Sequence, residues 1–297
     1  MISPERLELM GVPVVDRLAI GRERGQRISL AALLAIAYLL MLVILSVLAR
    51  YIAPHDPKLM DLTDQYQSPG LGMHLLGTDR FGHDELSQLI FGAQFSLLAA
   101  VIGTGVAVAV GAPLGVLAGY IGDTFENVTG FFNDALMAVP SLLFVLSAIA
   151  VIGSGLTRAM IVVGVIFSPP FFRLARAAAR DVKHEMFIEA SRSIGCSTWR
   201  TIWRHIIPNV LSPIVVQATF AAGASVAAEA GLSFLGLGVQ LPSASWGTML
   251  STAAENYSAP FLIYFPGIAI ALTVMSFLIL GDWLSDVVGT QRRGRIP

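Results

Sequence analysis

Long uncharged runs alternate with short polar, charge-bearing stretches along most of the chain. A helical run of about 20 apolar residues crosses a hydrocarbon core of ~30 Å. By that measure residues 28–49 predict a first membrane helix, and the stretch 86–122 holds a second that begins near residue 96. Residues 135–157 predict a third, 159–172 a fourth, 206–228 a fifth and 256–281 a sixth. Six crossings return both termini to one side. The fourth is unusual, because its uncharged part makes only ~21 Å of helix. Pro169-Pro170 is expected to break its hydrogen-bond ladder, and the helix has to extend through Arg173, whose head group snorkels to the interface. Broken backbone is tolerated in a membrane only against protein or a wet cavity. Pro169 and Pro170 are therefore candidate pathway-lining residues.

Finer patterns lie inside these runs. Gly111, Gly115 and Gly119 recur every four residues of the second span, which makes a smooth face for close helix packing, or alternatively a hinge or pathway lining. Pro113 is expected to kink that span. Leu86, Leu89, Ile90 and Ala93 fall on one helical face, predicting a helix on the membrane surface or on the bundle before the second span begins. In the polar stretch after the fourth span, Gly195 stands where a helix would stop, since glycine takes the left-handed capping conformation freely. Ser197 suits the N-cap of a new helix over 198–206, and Pro208 opens the next span. The expectation is a helix over 182–194, a glycine break, and a second helix.

Composition agrees with the pattern. Hydrophobic residues make up 55% of the chain, charged residues 13%, and the mean hydropathy is +0.72. Soluble domains carry about 25% charged residues. Lys and Arg concentrate in alternate polar stretches: residues 1–27, 173–204 and 292–295 hold all of them except Arg50, Lys58, Arg80 and Arg158. The positive-inside rule then places both termini and the 181–208 loop in the cytoplasm. The first span reads as an uncleaved anchor, because its apolar run exceeds that of a signal peptide and no small-residue cleavage site follows. The one cysteine, Cys196, leaves no disulfide to form. A net charge of −1 excludes a general role in binding polyanions such as nucleic acid.

Glu189-Ala190-Ser191, then Gly195, then His205-Ile206-Ile207-Pro208 resembles the Glu-Ala-Ala loop of ABC-importer permeases, with matching spacing. Ser191, His205 and Ile207 depart from that pattern; His-x-x-Pro-Asn at this point is similar to the dipeptide, oligopeptide and nickel branch. The segment from His74 through Gly77-Thr78-Asp79 to Gly82-His83-Asp84 resembles a second motif of that branch, with His83 in place of the usual Arg. The Gly-rich piece from Gly231 to Gly238, followed by Pro242 and Ser245-Trp246-Gly247, resembles a third, that of the C-type permease.

The resemblance implies an all-α permease fold of the type I importer kind. Its parts would be a cytoplasmic tail (1–27), a first membrane helix (28–49), an extracytoplasmic segment (50–95), a five-helix core (96–284) with the coupling loop 181–208, and a basic cytoplasmic tail (285–297). It implies a bacterial cytoplasmic membrane, a second, B-type permease, two ABC ATPase subunits that carry ATP and Mg, and an extracytoplasmic peptide-binding protein. This chain itself would bind no cofactor. Glu185, Glu189, Ala190, Ser191, Gly195 and Pro208 would couple to an ATPase. Glu229, Ser233, Phe234 and Trp246 join Pro169 and Pro170 as candidate pathway or gate residues. The implied cargo is a di- or oligopeptide, with nickel as the alternative.

Other chemistry is thinly supported. No phosphate loop of the Gly-x-x-x-x-Gly-Lys-Ser/Thr type is present. His184-Glu185 begins like a zinc-protease motif, but Ile188 occupies the second histidine position. Gly231-Leu232-Ser233 lacks a base within the spans. The chain is therefore not expected to be an enzyme. A secondary transporter or channel would want an ion-coupling chain or inverted repeat, and neither is evident. Two acids approach the hydrocarbon: Asp134, expected at the inner end of the third span, and Glu229, expected near the outer end of the fifth, where Arg158 or a partner subunit is its candidate counter-ion. His55, His74 and His83 share the outer segment, yet their spacing matches no metal motif, so no metal site is expected.

Overall fold

The structure, a computed structural model, describes residues 29–70, 72–240, 242–255 and 259–293. The tail 1–27 lies outside the described residues. Among the described residues there is no β-strand, only an isolated antiparallel bridge between Thr78 and Asp84. Helix α1 (Leu30–Ile52) starts at Ser29, whose hydroxyl accepts from the Ala32 amide. Helix α2 (Glu85–Ile121) starts at Asp84, whose carboxylate accepts from the Ser87 amide at 2.8 Å. There follow α3 (Asp123–Ala138), α4 (Ser141–Ile152), α5 (Leu156–Ile166) and α6 (Ser168–Lys183). Helix α7 (Met186–Ser193) and the short α8 (Thr198–Thr201) lead through a π turn (Ile202–Ile206) into α9 (Ile207–Phe234). The short α10 (Trp246–Ala253) and the long α11 (Phe261–Arg293) complete the bundle.

Five continuous helical stretches are long and apolar enough to cross a membrane, and α3–α4 makes a sixth if that bent pair counts as one span. The bend is the main correction to the expected third span. Helices α3 and α4 meet at 93° across Val139-Pro140. Proline disfavours helical backbone in the residue before it, and Val139 is accordingly extended, at φ −86° and ψ 129°.

Three other boundaries move. Helix α2 begins at residue 85 rather than near 96, because Asp84 caps it and Ile90 and Ala93 of the 86–93 face are buried on the bundle. Pro169 and Pro170 do not break the fourth span. They lie in the first turn of α6, where amides have no helical acceptor to lose, and the short discontinuity falls at Phe167. The sixth helix starts at Phe261 and runs to Arg293, into the expected tail; residues 256–258 and 294–297 lie outside the described residues.

The core forms where α2, α6 and α9 meet. A Cβ added at Gly111, Gly115 or Gly119 would lie 2.2–2.3 Å from the carbonyl oxygens of Ser168, Phe172 and Arg176 respectively. The two helices thus touch backbone to backbone, one glycine per turn, which is the packing expected of the stripe. Pro113 lies inside α2 without ending it. Polar ties reinforce the outer helices. Tyr38 Oη bonds with the Ala269 carbonyl and Thr273 Oγ1, and Gln94 Nε2 donates to the Ser46 carbonyl at 2.7 Å. Leu30, Leu33, Leu34, Val43, Ile44 and Val47 of α1 are exposed, as befits a face meeting lipid.

Candidate functional site

The expected hairpin is present, with its first helix divided. Helix α6 ends at Lys183, His184 turns the chain, and α7 follows, so the anticipated helix over 182–194 is two pieces. Helix α7 closes with the Cys196 amide donating to the Ser191 carbonyl at 3.1 Å, a six-to-one bond that needs the next-to-last residue in the left-handed region. Gly195 supplies it at φ +83°, and nothing lies within 4 Å of where its Cβ would be. Ser197 then caps α8, its Oγ accepting from the Arg200 amide.

The return helix is not separated from the next span at Pro208, as expected. In a regular helix the Pro208 ring would collide with the Arg204 carbonyl. The π turn Ile202–Ile206 widens the helix just ahead of it, and Asn209 Nδ2 donates to the His205 carbonyl at 2.7 Å. The whole of Thr198–Phe234 is therefore one continuous helical rod. Ile202 and Ile206 are buried in the same cluster as Val116 and Tyr120 of α2, Phe171 and Ala175 of α6, and Val210 of α9. The hairpin is rooted in the bundle core.

Of the coupling candidates, Glu185, Glu189, Ala190, Gly195 and Pro208 are exposed. Ser191 is turned inward with Ile188, and its Oγ has no partner among the described residues. Sequence reasoning missed Met186 and Ile194, which stand 85% and 82% exposed on either side of Ala190. The signal was available, since Met186, Ala190 and Ile194 are spaced by four and share one helical face. That face is apolar, small at its centre, and bordered by Glu189.

Pro169 and Pro170 line a cleft of about 450 Å³. It opens at the α3–α4 bend, with Val139, Pro140, Ser141 and Gln217 among its walls. The other gate candidates are not part of that lining. Glu229 and Ser233 are buried at the far end of α9, where Ser233 Oγ donates to Glu229 Oε1 at 2.7 Å and accepts from the Val239 amide at 3.0 Å. No ion pair joins Glu229 to Arg158 among the described residues; Ser233 bonds one oxygen of its carboxyl group instead. Asp134 does pair, with Arg173 at 2.8 Å, tying α3 to α6. Trp246 is buried, and its indole N–H donates to the Leu89 carbonyl at 2.9 Å. A Cβ on Gly92 would meet that ring at 2.7 Å, so Trp246 anchors the Gly-rich segment to α2. Phe234 is partly exposed at the end of α9.

Comparison with known proteins agrees with this architecture. Residues 111–294 match the family described as binding-protein-dependent transport system inner membrane component. The chain is 38% identical over 275 residues to the glutathione transport system permease protein GsiD of Escherichia coli O1:K1 / APEC, covering 92% of this chain and 89% of that protein. The protein of the same name from Shigella dysenteriae serotype 1 is 38% identical over the same shares. Among solved structures, an inward-facing form of the MetNI methionine ABC transporter superposes with a TM-score of 0.54 at 18% identity, over 68% of this chain and 96% of that one. That likeness is one of fold. The matched region runs from the glycine stripe through the hairpin to the last helix, and on that evidence the chain belongs to the family of binding-protein-dependent transport system inner membrane components.

Proposed function

We propose that the chain is one of two permease subunits of an ATP-driven importer of short peptides, held in a bacterial cytoplasmic membrane with both termini inside. The observation that carries this reading is the hairpin. It presents Met186, Glu189, Ala190 and Ile194 outward, while its return helix is embedded in the α2–α6–α9 core. Displacement of the exposed face is therefore delivered to the spanning helices rather than absorbed in a loop. The peptide class is supported by relatives named as glutathione transport system permeases.

In this mechanism ATP and Mg are held by two ATPase subunits, and this chain takes no part in holding either. Closure of the ATPases carries α7 with them. Gly195 and the π turn pass the motion to α9, and α6 passes it to α2 along the glycine stripe. The bundle shifts between two states, each stabilised by different contacts at the dock. Glu185, Glu189, Ala190, Gly195 and Pro208 take part at or beside the interface, and Ser191 packs behind it. The cleft beside Pro169 and Pro170 forms this chain's half of the pathway, and a B-type permease supplies the other half. Ser141 and Gln217 are its polar groups for a peptide backbone. Glu229, Ser233, Phe234 and Trp246 shape the outer gate, which receives peptide from an extracytoplasmic binding protein.

The test is uptake of labelled di-, tri- and tetrapeptides into proteoliposomes holding this chain with its neighbouring permease, ATPase and binding-protein gene products. Peptide accumulation that requires ATP and every partner is expected. Accumulation of nickel in place of peptide would overturn the substrate, and no ATP-dependent uptake of either would overturn the importer reading.

A further inference from the structure

The head of α2, at the end of the bundle away from the hairpin, gathers three side chains from separate parts of the chain. His55 lies just beyond α1, His74 belongs to the loop before α2, and Asp84 caps α2. His74 Nδ1 lies 2.9 Å from Asp84 Oδ1, and His55 Nδ1 lies 3.7 Å from the same oxygen. The imidazole rings stand 4.9 Å apart, tilted by 39°. One ligand atom from each residue falls within 4.8 Å of the others.

Two features suit this cluster to a ligand. His55 Nδ1 is buried and has no hydrogen-bond partner among the described residues, although its ring edge reaches solvent. An apolar residue would fill that place without leaving a nitrogen unpaired. The cluster is also built on fixed backbone. The His55 amide donates to Ser87 Oγ at 3.0 Å, and Ser87 Oγ in turn donates to Asp84 Oδ2 at 2.7 Å. Asp84 is 2% exposed at its side chain. Burial works against its charge, but hydrogen bonds from Ser87 and His74 outweigh it and hold the carboxyl below its usual range.

We propose that His55, His74 and Asp84 form a binding site for a divalent first-row transition-metal ion, with zinc the ion their two nitrogens and one oxygen fit best. Tetrahedral ligands at about 2.0–2.1 Å from zinc lie roughly 3.3 Å from one another. The two separations from Asp84 Oδ1, 2.9 and 3.7 Å, bracket that value, and all three ligand atoms lie within 4.8 Å of one another. Ligation by the lone pair of His74 Nδ1 requires the N–H of that ring at Nε2. There Asp64 Oδ2, now 3.8 Å from Nε2, faces it as the carboxylate that orients a ligating imidazole. Water takes the fourth position on the exposed side of His55. The ion joins the segment after α1 to the head of α2, and the site is independent of what the bundle transports.

Zinc chloride titrated calorimetrically into the chelator-stripped, detergent-purified protein tests this directly. One saturable site is expected, and cobalt in its place should give the visible absorption of a tetrahedral ion. His55→Ala and His74→Ala should each weaken zinc binding at least roughly tenfold. His55→Phe serves as the variant that spares the fold, since the backbone bond to Ser87 remains. It should unfold at the wild-type temperature without zinc and lose the zinc-induced rise. Absence of saturable binding, or binding unchanged in all three variants, overturns the proposal.

Discussion

Gly195 shows what one residue contributes. Its φ of +83° is left-handed, and open space surrounds it, so only backbone strain resists a side chain there. Asparagine tolerates this region and a β-branched residue does not. Gly195→Asn should keep uptake coupled to ATP hydrolysis. Gly195→Val should cost about 1–3 kcal/mol of local stability and lower the ratio of peptide imported to ATP hydrolysed, with the protein still in the membrane. Equal ratios in reconstituted complexes of the two variants would remove Gly195 from the coupling path. The sequence made this glycine legible because Ser197, an N-cap type, follows so closely. Ser191 was not legible in the same way. Ala190 beside it is exposed, and only the side on which α7 packs turns Ser191 inward.

Elements differ in how far pattern determines them. The glycine stripe of α2 was readable, and its partner was not. Four-residue spacing announces a face for close approach, whereas the carbonyls of Ser168, Phe172 and Arg176 become its counterpart only once α6 lies on it. Gly115→Ala would place a methyl 2.3 Å from the Phe172 oxygen and should cost about 1–3 kcal/mol. Gly105, on the same helix, has nothing within 4 Å of an added Cβ. Gly105→Ala should therefore be neutral or stabilise by up to about 1 kcal/mol. Thermal unfolding of both variants in detergent decides the matter, and equal shifts would mean that the stripe does not bear the α2–α6 contact. The α3–α4 bend was missed because an uncharged run says only that a segment is apolar. Whether Pro140 merely kinks a span or turns it by 93° depends on what surrounds it.

The whole molecule carries an orientation that Lys and Arg placement predicts. Cys196 is the chain's one cysteine, and it lies in the hairpin, partly exposed. A membrane-impermeant maleimide should label it in inside-out vesicles and leave it unlabelled in intact cells. In a Cys196→Ser background, Ser68→Cys in the outer segment should label in the opposite sense. Labelling of Cys196 in intact cells would invert the topology and remove the hairpin from any cytoplasmic ATPase. The bundle also explains why the pathway candidates divide. Pro169 and Pro170 reach the cleft because α5 and α6 border the bend, whereas Trp246 is held against α2 by the Leu89 carbonyl.

What the sequence by itself determined rests on local physical chemistry: apolar runs long enough to cross a bilayer, a glycine cap, a serine N-cap, and charges that favour one side. These depend on residues close together in the chain. What only the tertiary structure decided depends on residues far apart. His55, His74 and Asp84 match no metal spacing in the sequence; Ser87 ties the His55 backbone to the Asp84 carboxylate, and His74 Nδ1 bonds that carboxylate directly. Glu229 was legible as a costly buried acid, but its partner proved to be Ser233, one turn along its own helix, rather than the more distant Arg158. Sequence pattern can flag a buried acid as costly; packing chooses which group bonds to it.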